Sequence, residues 1–189
     1  MPIAIERLAW AAALALALPA AGQHHHGQAG QAQGHSPYAG QQSRDIKALS
    51  EAEVKDLREG AGMGFAKAAE LNRYPGPTHA LEHAEALRLT PEQKDRLAEL
   101  VKRHKAEARR LGARVIAAER ELDALFARRD ATPQAVERVT GEWGQASAKL
   151  RAEHLKTHLE TTALLSAAQV QRYVELRGYG EAGSGGHRH

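Results

Sequence analysis

Residues 89–100 read Leu-Thr-Pro-Glu-Gln-Lys-Asp-Arg-Leu-Ala-Glu-Leu, and residues 165–176 read Leu-Ser-Ala-Ala-Gln-Val-Gln-Arg-Tyr-Val-Glu-Leu. Leu, Gln, Arg, Glu and Leu recur at the same offsets in both stretches. In each, a hydroxyl residue stands three positions before a glutamine, Thr90 before Gln93 and Ser166 before Gln169. This is a capping box: hydroxyl and amide oxygen each satisfy a backbone N–H left free at a helix start. Leu165 and Val170 add a hydrophobic staple to the second copy. Leu49-Ser50-Glu51-Ala52-Glu53 is a degenerate third copy with Glu in place of Gln, stapled by Leu49 and Val54. Three helix starts are therefore written into the chain, and the fold depends on what lies between them.

Behind Thr90 and Pro91, the residues Leu97, Val101, His104, Ala108, Leu111, Val115, Ala118, Leu122 and Leu125 follow at alternating intervals of four and three. That spacing is a heptad seam. A helix over residues 91–129 would be about 58 Å long at about 1.5 Å per residue, a rod that must pack lengthwise on something. Asp130-Ala131-Thr132-Pro133 supplies the turn, with Thr132 as N-cap and Pro133 in the first helical position. The return helix carries Val136, Val139, Trp143, Ala146 and Leu150 and runs to about Leu164. So short a connection makes antiparallel neighbours. Upstream, the helix that starts at Ser50 is expected to continue through Val54, Leu57, Ala61, Phe65, Ala68 and Leu71. Gly60, Gly62 and Gly64 interrupt it at about 1 kcal/mol each relative to Ala. They either permit close backbone contact with another helix or kink this one. Tyr74-Pro75-Gly76-Pro77 breaks the chain, and Thr78 is expected to cap a short helix to about Arg88.

Composition agrees with an all-α class. Alanine accounts for 38 of 189 residues, Ile and Val together for 11, and aromatics for 4%, whereas strands draw on β-branched and aromatic side chains. The absence of cysteine excludes disulfides, thiolate metal sites, iron–sulfur clusters and cysteine nucleophiles. The 26 basic and 23 acidic residues are mixed along the chain, and with so few aromatics they do not suggest a nucleic-acid partner. Residues 8–21 form an apolar run of signal-peptide length, too short for a span of about 20 residues. Ala20-Ala21-Gly22 offers small residues for cleavage, so the organisation expected is a signal peptide over 1–22 and a flexible His/Gln/Gly leader over 23–42. A helical domain over 43–177 and a flexible tail over 178–189 follow.

The paired L-[T/S]-x-x-Q motifs, flanking a helical hairpin behind an export signal, resemble the LTxxQ family, which includes the Spy and CpxP periplasmic chaperones and metal-sensing relatives. Leu89, Thr90 and Gln93 match the first motif, and Leu165, Ser166 and Gln169 the second, with Ser in place of Thr. The resemblance covers residues 38–177. It implies a cradle-shaped homodimer of long antiparallel hairpins in the periplasm, acting as an ATP-independent chaperone or an envelope-stress or metal sensor. The partners it implies are unfolded envelope proteins, a second copy of the chain and a membrane sensor kinase.

No catalytic constellation, phosphate loop or nucleophile motif stands out, so an enzyme is not expected. The long helix carries a basic stretch, Lys102, Arg103, Lys105, Arg109, Arg110 and Arg114, against Glu107 alone. Beside an apolar seam this forms an amphiphilic surface able to hold unfolded clients loosely. The same six residues also fit an ordinary solvated face. A seam that one return helix would not cover entirely points to a homodimer packed along the long helix, with Leu111 on the shared face.

Eleven histidines are the unusual number. His79 and His83 are four apart on one expected helix, as are His154 and His158, and that spacing sets two imidazoles on one face. A turn centred on Ala131 pairs residue 104 with residue 158 and sets His104 against the His154/His158 pair. Such a set suits Zn, Ni, Co or Cu(II), although each histidine also reads as an ordinary helix or core residue. Affinity is expected to fall as pH drops through about 6.5. His24, His25 and His26 lie near the expected new N-terminus. Cleavage after Gly22 or Ala21 makes His25 or His24 the third residue, where amine, two amides and imidazole form a square-planar set for Cu(II) or Ni(II). No cofactor is required by the sequence, and Met63 alone in the mature chain does not suggest a Cu(I) thioether site.

Overall fold

The computed structural model describes residues 36–179. The expected signal peptide, His24 to His26 and the tail from residue 180 lie outside the described residues. A short 3-10 turn at Gln41–Ser43 precedes six helices: α1 Glu51–Glu59, α2 Lys67–Glu70, α3 Pro77–Glu82, α4 Pro91–Ala127, α5 Pro133–Leu164 and α6 Ala167–Leu176. Among the described residues there is no strand, and no helix is long and apolar enough to cross a membrane.

All three capping boxes are formed. Ser50, Thr90 and Ser166 accept from the backbone N–H of Glu53, Gln93 and Gln169, whose side chains accept from the cap residues in return. Thr132 caps α5 with Pro133 behind it. The helix from Ser50 does not continue to Leu71. Gly60 takes a left-handed φ of 64°, Ala61 N–H returns to the Asp56 carbonyl at 2.9 Å, and α1 is closed there. A Cβ on Gly60 would lie 3.0 Å from Ala108 Cβ, so the break lets the chain pass close to α4. Thr78 is not a cap either. Gly76 occupies that position, Pro77 opens α3, and the helix stops at Glu82 rather than Arg88. The turn over residues 83–88 lets Leu87 and Leu89 join Leu97 and Tyr173 in one buried cluster.

The two long helices run side by side. On α4, Leu97, Ala108, Leu111, Val115, Ala118 and Leu125 of the seam are buried, and Leu100, Gly112 and Ile116 are buried beside them. The stripe is wider than a two-helix seam because α1 and α3 also pack on α4. The α1 crossing is so close that a Cβ on Gly112 would stand 2.2 Å from the Leu57 carbonyl oxygen. Leu111 is 2% exposed among Ile46, Leu57, Ala146 and Leu150, which puts it in the core of one chain rather than on a face for a second copy.

On α5, Val139, Ala146 and Leu150 are buried, but Trp143 is 39% exposed. It lies at the edge of the stripe, where an indole can keep one side in water. Beyond Leu150 the buried positions of α5 become His154, Thr157 and Thr161. The threonines are satisfied within the helix, Thr157 donating to the Glu153 carbonyl and Thr161 to the Thr157 carbonyl.

The repeated glutamines meet at the open end of the hairpin. Each amide nitrogen donates to the other's oxygen at 2.9 Å. The second proton of Gln93 goes to the Leu164 carbonyl and that of Gln169 to the Leu87 carbonyl. Each amide oxygen also accepts from its own cap residue. Every donor of both amides is used, so the motif caps two helices and clasps them together. Glu53 has no amide protons and can only cap.

Candidate metal centre

A cavity of about 290 Å³ lies where α4 and α5 turn polar. Gly60, Ala61, Gly62 and Ala66 of the broken glycine stretch form one wall, and Gly76, Pro77 and Thr78 another. His79 from α3, His104 from α4, and His154 and His158 from α5 all line it. The turn between the long helices is centred midway between Ala127 and Pro133, one residue before Ala131. The register therefore differs from the one expected, and His104 meets His154, with ring centroids 4.6 Å apart and planes at 75°. His158 points toward α2 and α3 instead.

The hydrogen bonds assign the tautomers. Thr157 donates its hydroxyl proton to the Glu153 carbonyl, so toward His104 Nδ1, 3.0 Å away, its oxygen is an acceptor. The Glu153 carboxylate stands 3.3 Å from the same nitrogen. Nδ1 of His104 thus carries the proton, and Nε2 keeps its lone pair. His158 Nδ1 donates to the Tyr74 carbonyl at 2.8 Å, with the same consequence. His79 Nδ1 donates to the Glu82 carboxylate at 2.7 Å. Holding one ring nitrogen by a carbonyl or carboxylate is how proteins orient the other toward a metal.

His154 is different. It is 4% exposed, packs on Phe65 with ring centroids 5.5 Å apart, and its Nε2 is buried without a hydrogen-bond partner. Burial, then the neighbouring His104, push its pKa down to about 4. Burial also lowers His104, against the opposing pull of Glu153. Burial thus favours the neutral form of both rings, most strongly at His154, and neutral imidazole is the form metal ligation requires.

Among the described residues no three His, Asp or Glu side chains stand close enough together to hold one ion. The cavity gathers the donors without converging them. Their chemistry still fits a divalent transition ion: neutral imidazoles, Nδ1 protons tied back on three of them, and one orphaned buried nitrogen. His83 is outside this group. It is the C-cap of α3, past the end of the helix that was expected to align it with His79, and it does not line the cavity.

The six basic residues are dispersed. Lys105 donates to the Gly60 carbonyl and Arg109 to the Glu59 carbonyl, where they stabilise the negative end of α1. Lys102 pairs with Glu99, Arg103 with Glu160 and Arg110 with Glu107. Arg114 lines a separate groove with Glu121 and Glu142.

Thr157, Phe65, Glu70 and the Tyr74 carbonyl were not singled out in the sequence. Thr157 had a signal there: His154, Thr157 and Thr161 continue the seam of α5 beyond Leu150 at intervals of four, three and four. Residues 60–172 match the family described as heavy-metal resistance. No curated protein and no solved structure matches the chain.

Proposed function

The chain belongs to the heavy-metal resistance family, the LTxxQ-motif proteins related to Spy and CpxP, and on that premise we propose that it binds a divalent transition metal in the histidine cavity as a sensor or buffer of the cell envelope. The observation that carries the reading is the gathering of His104, His154 and His158 in one cavity, with the free Nε2 of His104 and His158 assigned and the Nε2 of His154 buried without a partner. His79 stands at its wall as a fourth donor. Zn, Ni, Co and Cu(II) all suit imidazole. The bound ion would supply a cross-link between α4 and α5. The envelope location rests on the family and on the signal-like residues 8–21, and the role is binding rather than catalysis.

The test is calorimetric titration with Zn(II) and Ni(II) of full-length protein carrying alanine at His24, His25, His26 and His35 of the leader and at His187 and His189 of the tail, so that neither segment adds histidine signal. One site per chain is expected, and it should weaken at least about tenfold on His104→Ala or His154→Ala. Unchanged affinity in both variants would overturn the reading.

A second reading, the holding of unfolded envelope proteins, is supported by a groove of about 380 Å³. Leu100 and Leu164 line it, together with Arg96 and Arg103. The basic stretch supports it less than the sequence suggested, because five of its six side chains already bind groups of the same chain. A second copy of the chain remains part of this proposal. The surfaces open to it carry Phe126, Trp143 and Leu159 rather than the covered seam. A membrane sensor kinase is the partner that a sensing role would require.

A further inference from the structure

The segment Tyr74-Pro75-Gly76-Pro77 touches the histidine cavity on one side and α6 on the other. On the cavity side, the Tyr74 carbonyl holds His158 Nδ1 at 2.8 Å. Gly76 lies against the edge of the same ring, and a Cβ there would meet His158 Cε1 at 3.0 Å. On the far side, Gly76 N–H donates to the Tyr173 hydroxyl at 3.2 Å. Tyr173 is fully buried and donates in turn to Glu70 Oε1 at 2.6 Å. Arg177, the C-cap of α6, donates to the same oxygen. Glu70 Oε2 faces back to His158 Nδ1 at 3.5 Å, which closes the circuit.

Two features make this more than a set of neighbours. Pro75, Gly76 and Pro77 are all buried, and two prolines with fixed φ leave the segment little freedom to absorb a displacement at one end. The contacts on both sides are also made through its backbone, by the Tyr74 carbonyl and the Gly76 N–H, so the orientation of His158 and the seat of Tyr173 are set by the same few atoms. A shift of His158 is therefore expected to be felt by Tyr173, and a loosening of Tyr173 by His158.

Resting on the metal reading above, we infer that loading of the histidine cavity is coupled through Tyr74–Pro77 to the docking of α6, the helix that carries the second motif. Metal at His158 favours the docked helix, and the docked helix favours metal. The two effects are reciprocal, since linkage requires the same factor in both directions.

The experiment is hydrogen exchange of the backbone amides of residues 167–177, with and without Zn(II). It uses full-length protein with the four leader histidines and the two tail histidines replaced by alanine, and calorimetry runs in parallel. In that protein zinc should slow α6 exchange by about fivefold or more. Tyr173→Phe keeps the ring and removes the hydroxyl, so zinc affinity should fall by about the same factor and the slowing by zinc should disappear. A purely structural role for Tyr173 would raise the basal exchange rate but leave the zinc-dependent ratio and the affinity as they were, and that outcome overturns the coupling. Should Tyr173→Phe fail to fold, Arg177→Gln removes the guanidinium that steadies the Glu70 anchor of Tyr173 and leaves Glu70 beside His158. It should reduce the ratio in the same direction, and an unchanged ratio counts against the coupling. Zinc heat with no change in α6 exchange overturns this inference alone, whereas no zinc heat at all overturns the metal reading beneath it.

Discussion

The two halves of the α4–α5 hairpin share one spacing and differ in what occupies it. Toward the turn, Ala118 and Leu125 of α4 meet Val139 of α5 in an apolar cluster. Toward the open end, the same face of α5 carries His154, Thr157 and Thr161, all buried. A chain selected for stability alone would continue with leucine there, because an orphaned buried nitrogen is destabilising and a leucine is not. On the proposed metal reading, the polar half is where packing has been given up for binding. The clasp of Gln93 and Gln169 closes the end of the hairpin beyond it, beside the buried cluster of Leu87, Leu89, Leu97 and Tyr173, so the polar stretch lies between two apolar ones.

Leu111→Ala removes a fully packed side chain from the α1–α4–α5 core and should cost about 3 kcal/mol, read as a lower urea midpoint with unchanged slope. Zinc affinity should survive it. If Leu111→Ala abolished metal binding instead, the two halves would not be separable.

Acid should act on the polar half. His154 titrates near pH 4 when folded and near 6.5 when unfolded. Between those values the unfolded chain holds a proton that the folded chain refuses, so stability present above about pH 6.5 is lost as pH falls toward 4. The loss should reach about 2–3 kcal/mol in metal-free protein, and His154→Leu should flatten it. An identical acid slope in that variant would show that His154 does not carry the effect.

The smallest effect belongs to the clasp. Gln169→Glu leaves the α6 capping box intact, as Glu53 does for α1, but removes both amide protons. It should cost about 2 kcal/mol, because the Leu87 carbonyl loses its side-chain donor, Gln93 Oε1 keeps only the Thr90 N–H, and a carboxylate faces that oxygen. Thermal unfolding of this variant equal to wild type would reduce the motif to three separate caps.

How much of this the sequence contained varied with the physics of each part. Capping boxes are local, and all three could be read from four residues each. The hairpin could be read because its seam runs for several heptads. The end of α1 could not, since a helical period continued across Gly60 and only the close passage of the chain by Ala108 decided that the helix should stop there. The cavity was half legible. The spacing of His154 and His158 was visible, but the turn is centred one residue before Ala131, which moves the position opposite His104 two places along α5, from His158 to Lys156, and lets its ring meet His154 instead. The roles of Tyr74 and Gly76 were hidden because they act through backbone atoms, which carry no residue signature.

The metal proposal makes Nε2 of His104, His154 and His158 the metal-facing nitrogen. The most direct measurement is the side-chain ¹⁵N spectrum of the histidines at neutral pH, in leader- and tail-substituted protein titrated with Zn(II) and assigned by single substitutions of His79, His83, His104, His154 and His158. The account predicts that His104 and His158 begin with protonated Nδ1 and unprotonated Nε2. On zinc addition the Nε2 resonances of His104, His154 and His158 should then move together at one equivalent, with His83 unaffected. Zinc shifts confined to His79 and His83, with the rings of His104, His154 and His158 unchanged, would contradict it.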